Sequence, residues 1–163
     1  MRPMYGVEMQ VPTGKLPGFY AQVIHKIGDH VNVFDRDKLL FIVEGEEERD
    51  KLEAVLTKSH MLGEVFPLLL LPPQAQVVSL DDTGFISESG NHYLYADRVA
   101  LFALALGEGN DRDRWAAEEQ LKEHAVGFIP GDVQDTSVWI VDHSLAELVE
   151  GIARAYRLSV NWL

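Results

Sequence analysis

The chain has 163 residues, a length typical of one folded domain, and its 47% hydrophobic content is enough to build a core. It contains no cysteine, which excludes a disulfide framework, an iron–sulfur cluster, a thiolate zinc site and a cysteine nucleophile. We therefore expect one globular domain over residues 1–163.

Negative charge dominates the composition, with 26 Asp and Glu residues against 14 Lys and Arg residues and a net charge of −12. Residues 1–43 carry a net charge of +1 and residues 44–163 a net charge of −13. A surface of this sign repels nucleic-acid phosphates and anionic lipid headgroups, because binding either needs clusters of Lys and Arg. It suits a basic protein partner, since complementary charge accelerates encounter. We expect no direct nucleic-acid partner and no membrane partner.

No segment of the sequence predicts membrane insertion or export. The longest apolar run, Val65–Leu71, stops at Pro72-Pro73 and is far shorter than the roughly 20 residues that a spanning helix needs. The first residues lack the apolar region of an export signal. We expect a cytoplasmic protein.

The first third of the chain predicts strands. Alternating apolar residues favour an edge strand over residues 5–11, and Phe19–Ile27 is rich in aromatic and β-branched residues. Gly28-Asp29 suits a two-residue hairpin turn leading into Val31–Phe34. The continuous apolar run Leu39–Val43 is typical of a strand buried on both faces. These segments together predict a three-stranded N-terminal meander.

The middle of the chain changes period after Gly45. Acidic residues in the first turn and a buried stripe predict a helix over residues 46–59. The run over residues 65–71 is compatible with a buried strand or a short helix. Residues 76–80 and 85–87 flank turn-forming residues and predict a second hairpin.

The last part of the chain is predicted to be mainly helical. Residues 97–106 are apolar on all sides, which predicts a buried helix, and residues 113–125 predict a charged surface helix. Residues 137–141 predict a buried strand. Ser144 with Glu147 matches a capping box that opens another helix.

A last strand is predicted over residues 158–163, and no repeat has a period of 20–50 residues. Strands first and helices later predict an α+β fold with a mostly antiparallel sheet, the N-terminal meander, and about four helices packed against the sheet.

Motifs that carry catalysis or cofactor binding are missing from the sequence. There is no glycine-rich phosphate loop and no Gly-x-Ser-x-Gly elbow. The histidines lack the spacing of a metal pair, although His25, Asp29 and His30 would meet across the predicted hairpin. We predict no metal, no cofactor and no catalytic residue, and we lean against an enzyme.

One junction is a candidate active position, because Asp142-His143-Ser144 lies where a strand passes into a helix and ligands often bind at such junctions. Consecutive side chains diverge, however, so these three do not make a catalytic triad. The more ordinary interpretation is that Ser144 caps the helix.

Two acidic blocks are candidate binding surfaces for a basic protein. An aromatic anchor ringed by carboxylates combines buried area with electrostatic specificity, although Trp115 could equally face the core. The predicted partner-binding residues are Trp115, Glu118, Glu119, Asp111, Asp113, Glu46, Glu47 and Glu48.

These features favour a non-enzymatic acidic protein that neutralises or regulates a basic partner, such as a toxin or nuclease, as immunity proteins and other inhibitors do. The analogy rests on charge and size. One alternative is a small-molecule-binding domain or enzyme with a site near residues 141–144. Another is a structural subunit of a phage or secretion assembly, with contacts from Trp139 and the segment Asn161–Leu163.

Overall fold

A computed structural model describes residues 1–14, 17–132 and 136–163. The chain divides into two compact units, one formed by residues 1–70 and 86–93 and the other by residues 71–85 and 94–163. The fold is α+β, as predicted, and the described residues form four helices and two antiparallel sheets of six and five strands. The assignment of residues 1–163 to a single domain stays a prediction.

Residues 1–70 of the first unit contain six elements in the order strand, helix, strand, strand, helix, strand. They are β1 (Arg2–Met9), α1 (Pro17–His30), β2 (Asp35–Asp37), β3 (Leu40–Val43), α2 (Glu46–Lys58) and β4 (Leu62–Leu70). The strands lie in the order β2-β3-β1-β4, and each neighbouring pair is antiparallel. This order is the split βαβ, or ferredoxin-like, arrangement.

Both helices of the first unit pack on one face of its sheet. Val7 and Met9 of β1 form a core with the buried residues of the helices, among them Ile27 of α1 and Leu56 of α2. Apolar positions at helical spacing supply these contacts, because residues four apart lie on the same side of a helix. The helix α2 agrees with the predicted helix over residues 46–59.

The predicted strand over Phe19–Ile27 is wrong, because these residues belong to α1. Gly28-Asp29 lies inside the same helix and is not a hairpin turn, and Val31–Phe34 is not a strand. Val23 and Ile27 are buried one helical turn apart. Burial of this stripe against the sheet outweighs the β propensity of the individual residues, so the N-terminal meander does not form.

Three short strands follow β4. They are β5 (Gln76–Val77), β6 (Gly84–Ile86) and β7 (His92–Tyr95). The six-stranded sheet continues from β4 to β7 and then β6, whereas β5 belongs to the five-stranded sheet. The predicted hairpin between residues 76–80 and 85–87 is therefore wrong, since its two arms join different sheets.

The second unit repeats the element order of the first. Its elements are β8 (Val99–Ala105), α3 (Asp111–Lys122), β9 (Gly127–Ile129), β10 (Val138–Asp142), α4 (Ala146–Ala155) and β11 (Ser159–Trp162). The strands lie in the order β11-β8-β10-β9-β5, and all the pairs are antiparallel. The chain thus contains the split βαβ arrangement twice, at a spacing too long for the 20–50-residue periods considered above.

The core of the second unit has the same layout. Phe102 and Leu104 of β8 pack with Trp139 and Val141 of β10 under the buried residues of α3 and α4, which include Leu121. Trp139 is 2% exposed, so this side chain is a core residue and does not supply the oligomer contact considered above. The predicted strands at residues 137–141 and 158–163 and the predicted helix over 113–125 correspond to β10, β11 and α3.

The predicted helix over residues 97–106 is wrong, because Val99–Ala105 is the strand β8. A continuous apolar run does not distinguish a buried helix from a strand with apolar side chains on both faces. The pairing of β8 with both β10 and β11 makes it the strand between them. The ambiguous run over residues 65–71 is likewise largely a strand, β4.

The predicted capping box at Ser144 and Glu147 is also wrong. Ser144 lies in a short 3₁₀ turn, and α4 begins at Ala146. The side chain of Asp142 accepts the N–H of Ser144 instead. None of the helices in the described part of the chain has the length and hydropathy needed to cross a bilayer.

Candidate functional site

Trp115 projects from the outer side of α3 and is 63% exposed. The helix buries Ala117 and Leu121, which lie on the opposite side because successive residues rotate by about 100°. At its start, the Asn110 side chain accepts the N–H of Asp113, and the Asp113 side chain accepts the N–H of Asn110. This reciprocal cap holds the first turn, and the packing of Ala117 and Leu121 leaves the tryptophan on the solvent side.

The four acidic residues predicted around Trp115 differ in their surroundings. Asp111 and Glu119 are exposed one turn to either side of the tryptophan, and Glu119 pairs with Lys122. Asp113 serves the helix cap and also lies 3.3 Å from Arg157. Asp111 is therefore the one of these three with no ion pair to another described residue.

Glu118 lines a small cavity together with Arg114 and Trp139. Burial raises the pKa of the Glu118 carboxyl above its usual range. Arg114 donates to the carbonyl of Leu104 at 3.2 Å, and its Nε is buried without a hydrogen bond. Glu118 is thus half-buried, whereas Asp111 and Glu119 are open to a partner.

A line of side chains runs along α3 from Trp115. Residues four apart lie on the same side of a helix, so Trp115, Glu119 and Glu123 follow one another along the surface. Glu123, the C-cap residue of α3, is exposed and makes no ion pair with another described residue. This line leads from the exposed aromatic ring to a cavity at the end of the helix.

The cavity at the end of α3 has a volume of about 300 Å³ and lies wholly within the second unit. It is lined by Val78, Ser79, Leu80, Asp81, Asp82, Thr83, Glu123, His124, Ala125, Val126, Asp142 and Leu145. Four of these side chains are carboxylates, and the end of α3 adds the negative end of the helix dipole. The cavity is suited to a cationic group.

Asp142 contributes a charge that persists at neutral pH. Ser144 donates its hydroxyl at 2.7 Å and its backbone N–H at 2.9 Å to the same oxygen, Oδ1. Both hydrogen bonds lower the pKa of the Asp142 carboxyl, and the bond from the hydroxyl has the larger effect. The carboxylate therefore stays ionised in the lining of the cavity.

The junction Asp142-His143-Ser144 does not bring a nucleophile to a base. The Ser144 hydroxyl is bound to Asp142, while Nδ1 of His143 lies 3.0 Å from the carbonyl oxygen of Arg98. Activation of a serine requires a hydrogen bond from its hydroxyl to the imidazole. Of the three junction residues, Asp142 lines the cavity.

The second acidic block lies in the first turn of α2. Glu46 and Glu47 are exposed, and Lys51 reaches Glu47 at 3.4 Å and Glu48 at 3.0 Å. Glu48 also accepts the N–H of Asn32 at 2.7 Å, and these hydrogen bonds lower its pKa. Lys51 partly neutralises this block, and no exposed aromatic side chain of α2 accompanies it.

The histidine positions considered for a metal lie on one helix and not across a hairpin. Nε2 of His25 lies 3.3 Å from a carboxylate oxygen of Asp29 in α1, and His30 ends the helix. In the described ranges no group of three His, Cys, Asp or Glu side chains is arranged to hold a metal ion.

Among the described residues, Asp35 accepts an unusually large number of hydrogen bonds, although no motif in the sequence marks it. Its side chain accepts hydrogen bonds from Ser87 at 2.6 Å, Ser89 at 2.9 Å, Asn91 at 2.9 Å and Tyr93 at 2.8 Å. The N–H of the following residue adds a fifth. No spacing in the sequence signals this cluster, because Asp35 lies more than fifty positions before its four side-chain donors.

The cluster formed by Asp35 and its five hydrogen-bond donors has a structural role in the first unit and is not a binding site. Asp35 is 7% exposed, and five donors occupy its two oxygens. These hydrogen bonds lower the pKa of Asp35 to about 2, although burial alone would raise it. A carboxylate so fully occupied has no free acceptor for a ligand.

Comparison with known proteins identifies no relative of this chain. No family model, curated protein or solved structure matches it.

Proposed function

We propose that this protein is a non-enzymatic acidic binding protein that neutralises or regulates a basic protein partner, bound through the outer side of α3. The single observation that carries the proposal is the 63% exposure of Trp115 on a line of carboxylates that ends at an acidic cavity. We propose that it acts in the cytoplasm.

Trp115 would supply most of the apolar contact. An aromatic side chain buries about 150–250 Å², so the exposed portion of this ring offers roughly 100–160 Å². At about 25 cal/mol per Å², covering that surface stabilises a complex by about 2–4 kcal/mol. This magnitude is typical of an interface hot spot.

The carboxylates would supply attraction and specificity. Asp111 and Glu123 are exposed and make no ion pair with another described residue, so a Lys or Arg of the partner would meet no competing cation there. The four carboxylates of the cavity suit a basic side chain inserted next to α3. Such contacts raise the association rate and weaken as salt shortens the Debye length.

The experiment starts with affinity capture from the native organism's lysate at low salt, followed by a titration with each captured basic protein. Trp115→Ala should weaken binding by roughly 30- to 900-fold, the equivalent of about 2–4 kcal/mol. The double variant Asp111→Asn/Glu123→Gln should slow association and reduce its salt dependence. The matched control Glu46→Gln/Glu47→Gln removes the same charge from α2 and should leave binding unchanged.

The outcomes distinguish this proposal from its alternatives. Equal loss with the α3 and α2 double variants would show that net charge alone attracts the partner, and the proposed surface would be wrong. If the protein instead binds a small cationic ligand in the cavity, Asp142→Asn should abolish binding and Trp115→Ala should have no effect. The cavity at the strand–helix junction favours this second candidate over the structural-subunit alternative.

A further inference from the structure

The strand β11 forms one edge of the five-stranded sheet. It pairs with β8, from Ser159 opposite Ala105 to Trp162 opposite Phe102. Among the described residues, no second strand lies beside it. An edge strand presents backbone N–H and C=O groups with which another strand can pair.

The register identifies which backbone groups face outward. The N–H of Leu163 donates to the carbonyl of Leu101 at 2.9 Å, so this residue faces β8. Successive residues of an antiparallel ladder alternate in direction, and Asn161 and Ser159 therefore face β8 as well. The N–H and C=O groups of Val160 and Trp162 point to the open side of the strand.

The corresponding edge of the first unit is closed. In the split βαβ order, β4 occupies the position that β11 occupies in the second unit, and β7 lies beside β4. The same scaffold therefore accepts another strand at this position when the chain supplies one.

The side chains of β11 lack the features that normally protect an edge. Edge strands are commonly guarded by charged residues or proline. The edge strand β2 has the guarded sequence Asp35-Arg36-Asp37, whereas Ser159–Trp162 contains neither a charge nor a proline. Trp162 is 39% exposed, and the adjacent Leu163 is 72% exposed.

We propose that β11 pairs antiparallel with β11 of a second copy of this chain, about a two-fold axis at Asn161. Centring the axis there places Val160 opposite Trp162 of the second copy and uses the N–H and C=O of both residues in both chains, giving four hydrogen bonds. An axis at Val160 would oppose Trp162 to Leu158, whose N–H already donates to Ala153. The axis at Asn161 therefore satisfies the most groups.

The side chains are compatible with this register. Val160 and Trp162 lie on the helix side of the sheet, where Val160 packs on the core and the Trp162 ring lies 5.3 Å from that of Phe102. Pairing sets Val160 of each copy beside Trp162 of the other, a favourable aromatic–β-branched combination. Asn161 meets its own symmetry mate and can form amide hydrogen bonds with it. The strand itself carries no charged side chain, and the indole N–H of Trp162 donates to the carboxylate of Glu150 at 2.7 Å.

Single-cysteine variants test the register, because the natural chain contains no cysteine. A pair without backbone hydrogen bonds has its Cα atoms about 4.5 Å apart, within disulfide range. Asn161→Cys should therefore form a disulfide-linked dimer on mild oxidation. Ser159→Cys is the matched control, since four residues would separate it from its mate by about 13 Å and it should stay unlinked.

Sedimentation measures the same interface without a covalent link. The unmodified protein should have the mass of a dimer, and Asn161→Lys should give a monomer because two ammonium groups would meet at the axis. Gln76→Lys adds the same charge to β5 at the other edge of this sheet and should stay dimeric.

Three results would overturn the proposal: a monomer at every concentration, equal cross-linking of the two cysteine variants, or dimers that dissociate with Gln76→Lys but not Asn161→Lys. Binding of an extended peptide to a monomeric protein, lost with Asn161→Lys, would assign the edge to another protein and likewise refute self-pairing. None of these results depends on Trp115, so they are independent of the proposed function.

Discussion

Replacing Asp35 with asparagine tests how much the buried carboxylate stabilises the first unit. The substitution keeps the shape of the side chain and removes its charge. In the protein, Asp35 accepts four side-chain hydrogen bonds and the N–H of Arg36. The variant turns an NH₂ group toward some of these donors, so at least one of them loses its acceptor.

The lowered pKa of Asp35 gives the size of the carboxylate's contribution to the free energy of unfolding. The pKa of Asp35 falls from 3.8 to about 2, and each unit corresponds to about 1.36 kcal/mol. The ionised carboxylate therefore contributes about 2 kcal/mol to the free energy of unfolding. Because the folded-state pKa is the lower one, this contribution is complete above about pH 4 and disappears as the pH falls from about 4 to 2.

The assay is urea unfolding of the natural protein and the Asp35→Asn variant between pH 6 and pH 2. We expect the natural protein to exceed the variant in free energy of unfolding, and this difference should shrink by about 2 kcal/mol between pH 5 and pH 2. Other carboxylates titrate in both proteins and cancel in the difference. Asp37→Asn, two residues along β2, is the matched control and should show no such change.

A difference between Asp35→Asn and the natural protein that stays constant with pH would refute this reasoning. It would mean that the cost of the substitution comes from shape and hydrogen-bond geometry, with no contribution from the charge. An equal pH dependence for Asp37→Asn would refute it too, because the effect would then belong to the net charge of β2.

Three further predictions concern the second unit. Asn110→Ala removes the cap of α3 and should lower the free energy of unfolding by about 1 kcal/mol in urea denaturation. Leu121→Ala should cost about 2–5 kcal/mol because this side chain is fully buried, whereas Trp115→Ala should change stability by less than about 0.5 kcal/mol. Because the pKa of Asp142 is lowered, Asp142→Asn should still weaken binding of a basic partner at the acidic end of the usual aspartate range, and equal affinity of the natural protein and the variant there, measured by calorimetry, would contradict its role.

Elements with strong local signals were predicted from the sequence. The acidic first turn of α2 and the charged α3 have helix-favouring features within a few residues of each other. The strand β10 is short and strongly β-branched. These segments were predicted correctly because tertiary contacts favour the same secondary structure as the local sequence does.

Elements with ambiguous local signals were predicted wrongly. The residues of α1 have high β propensity, but Val23 and Ile27 fit the buried side of a helix. The run in β8 is apolar on all sides, and only its pairing with β10 and β11 makes it a strand. Propensity differences of a fraction of a kcal/mol per residue are smaller than the free energy of burying these side chains.

The candidate binding surface was only partly predictable. The sequence singled out Trp115 and its acidic neighbours, but solvent exposure depends on which side of α3 packs on the sheet. Asp81 and Asp82 resembled an ordinary solvated turn, and folding brings them to the cavity with Glu123 and Asp142. Their separation along the chain leaves no local pattern.

The sequence by itself determined the acidic charge, the α+β class and the local helix and strand signals, because these follow from composition and from neighbours along the chain. The tertiary structure decided that the split βαβ arrangement occurs twice, that five donors surround Asp35, and that β11 ends its sheet with an open edge. Each of these properties depends on hydrogen bonds or packing between residues far apart in sequence. Their free energies arise only when the chain has folded.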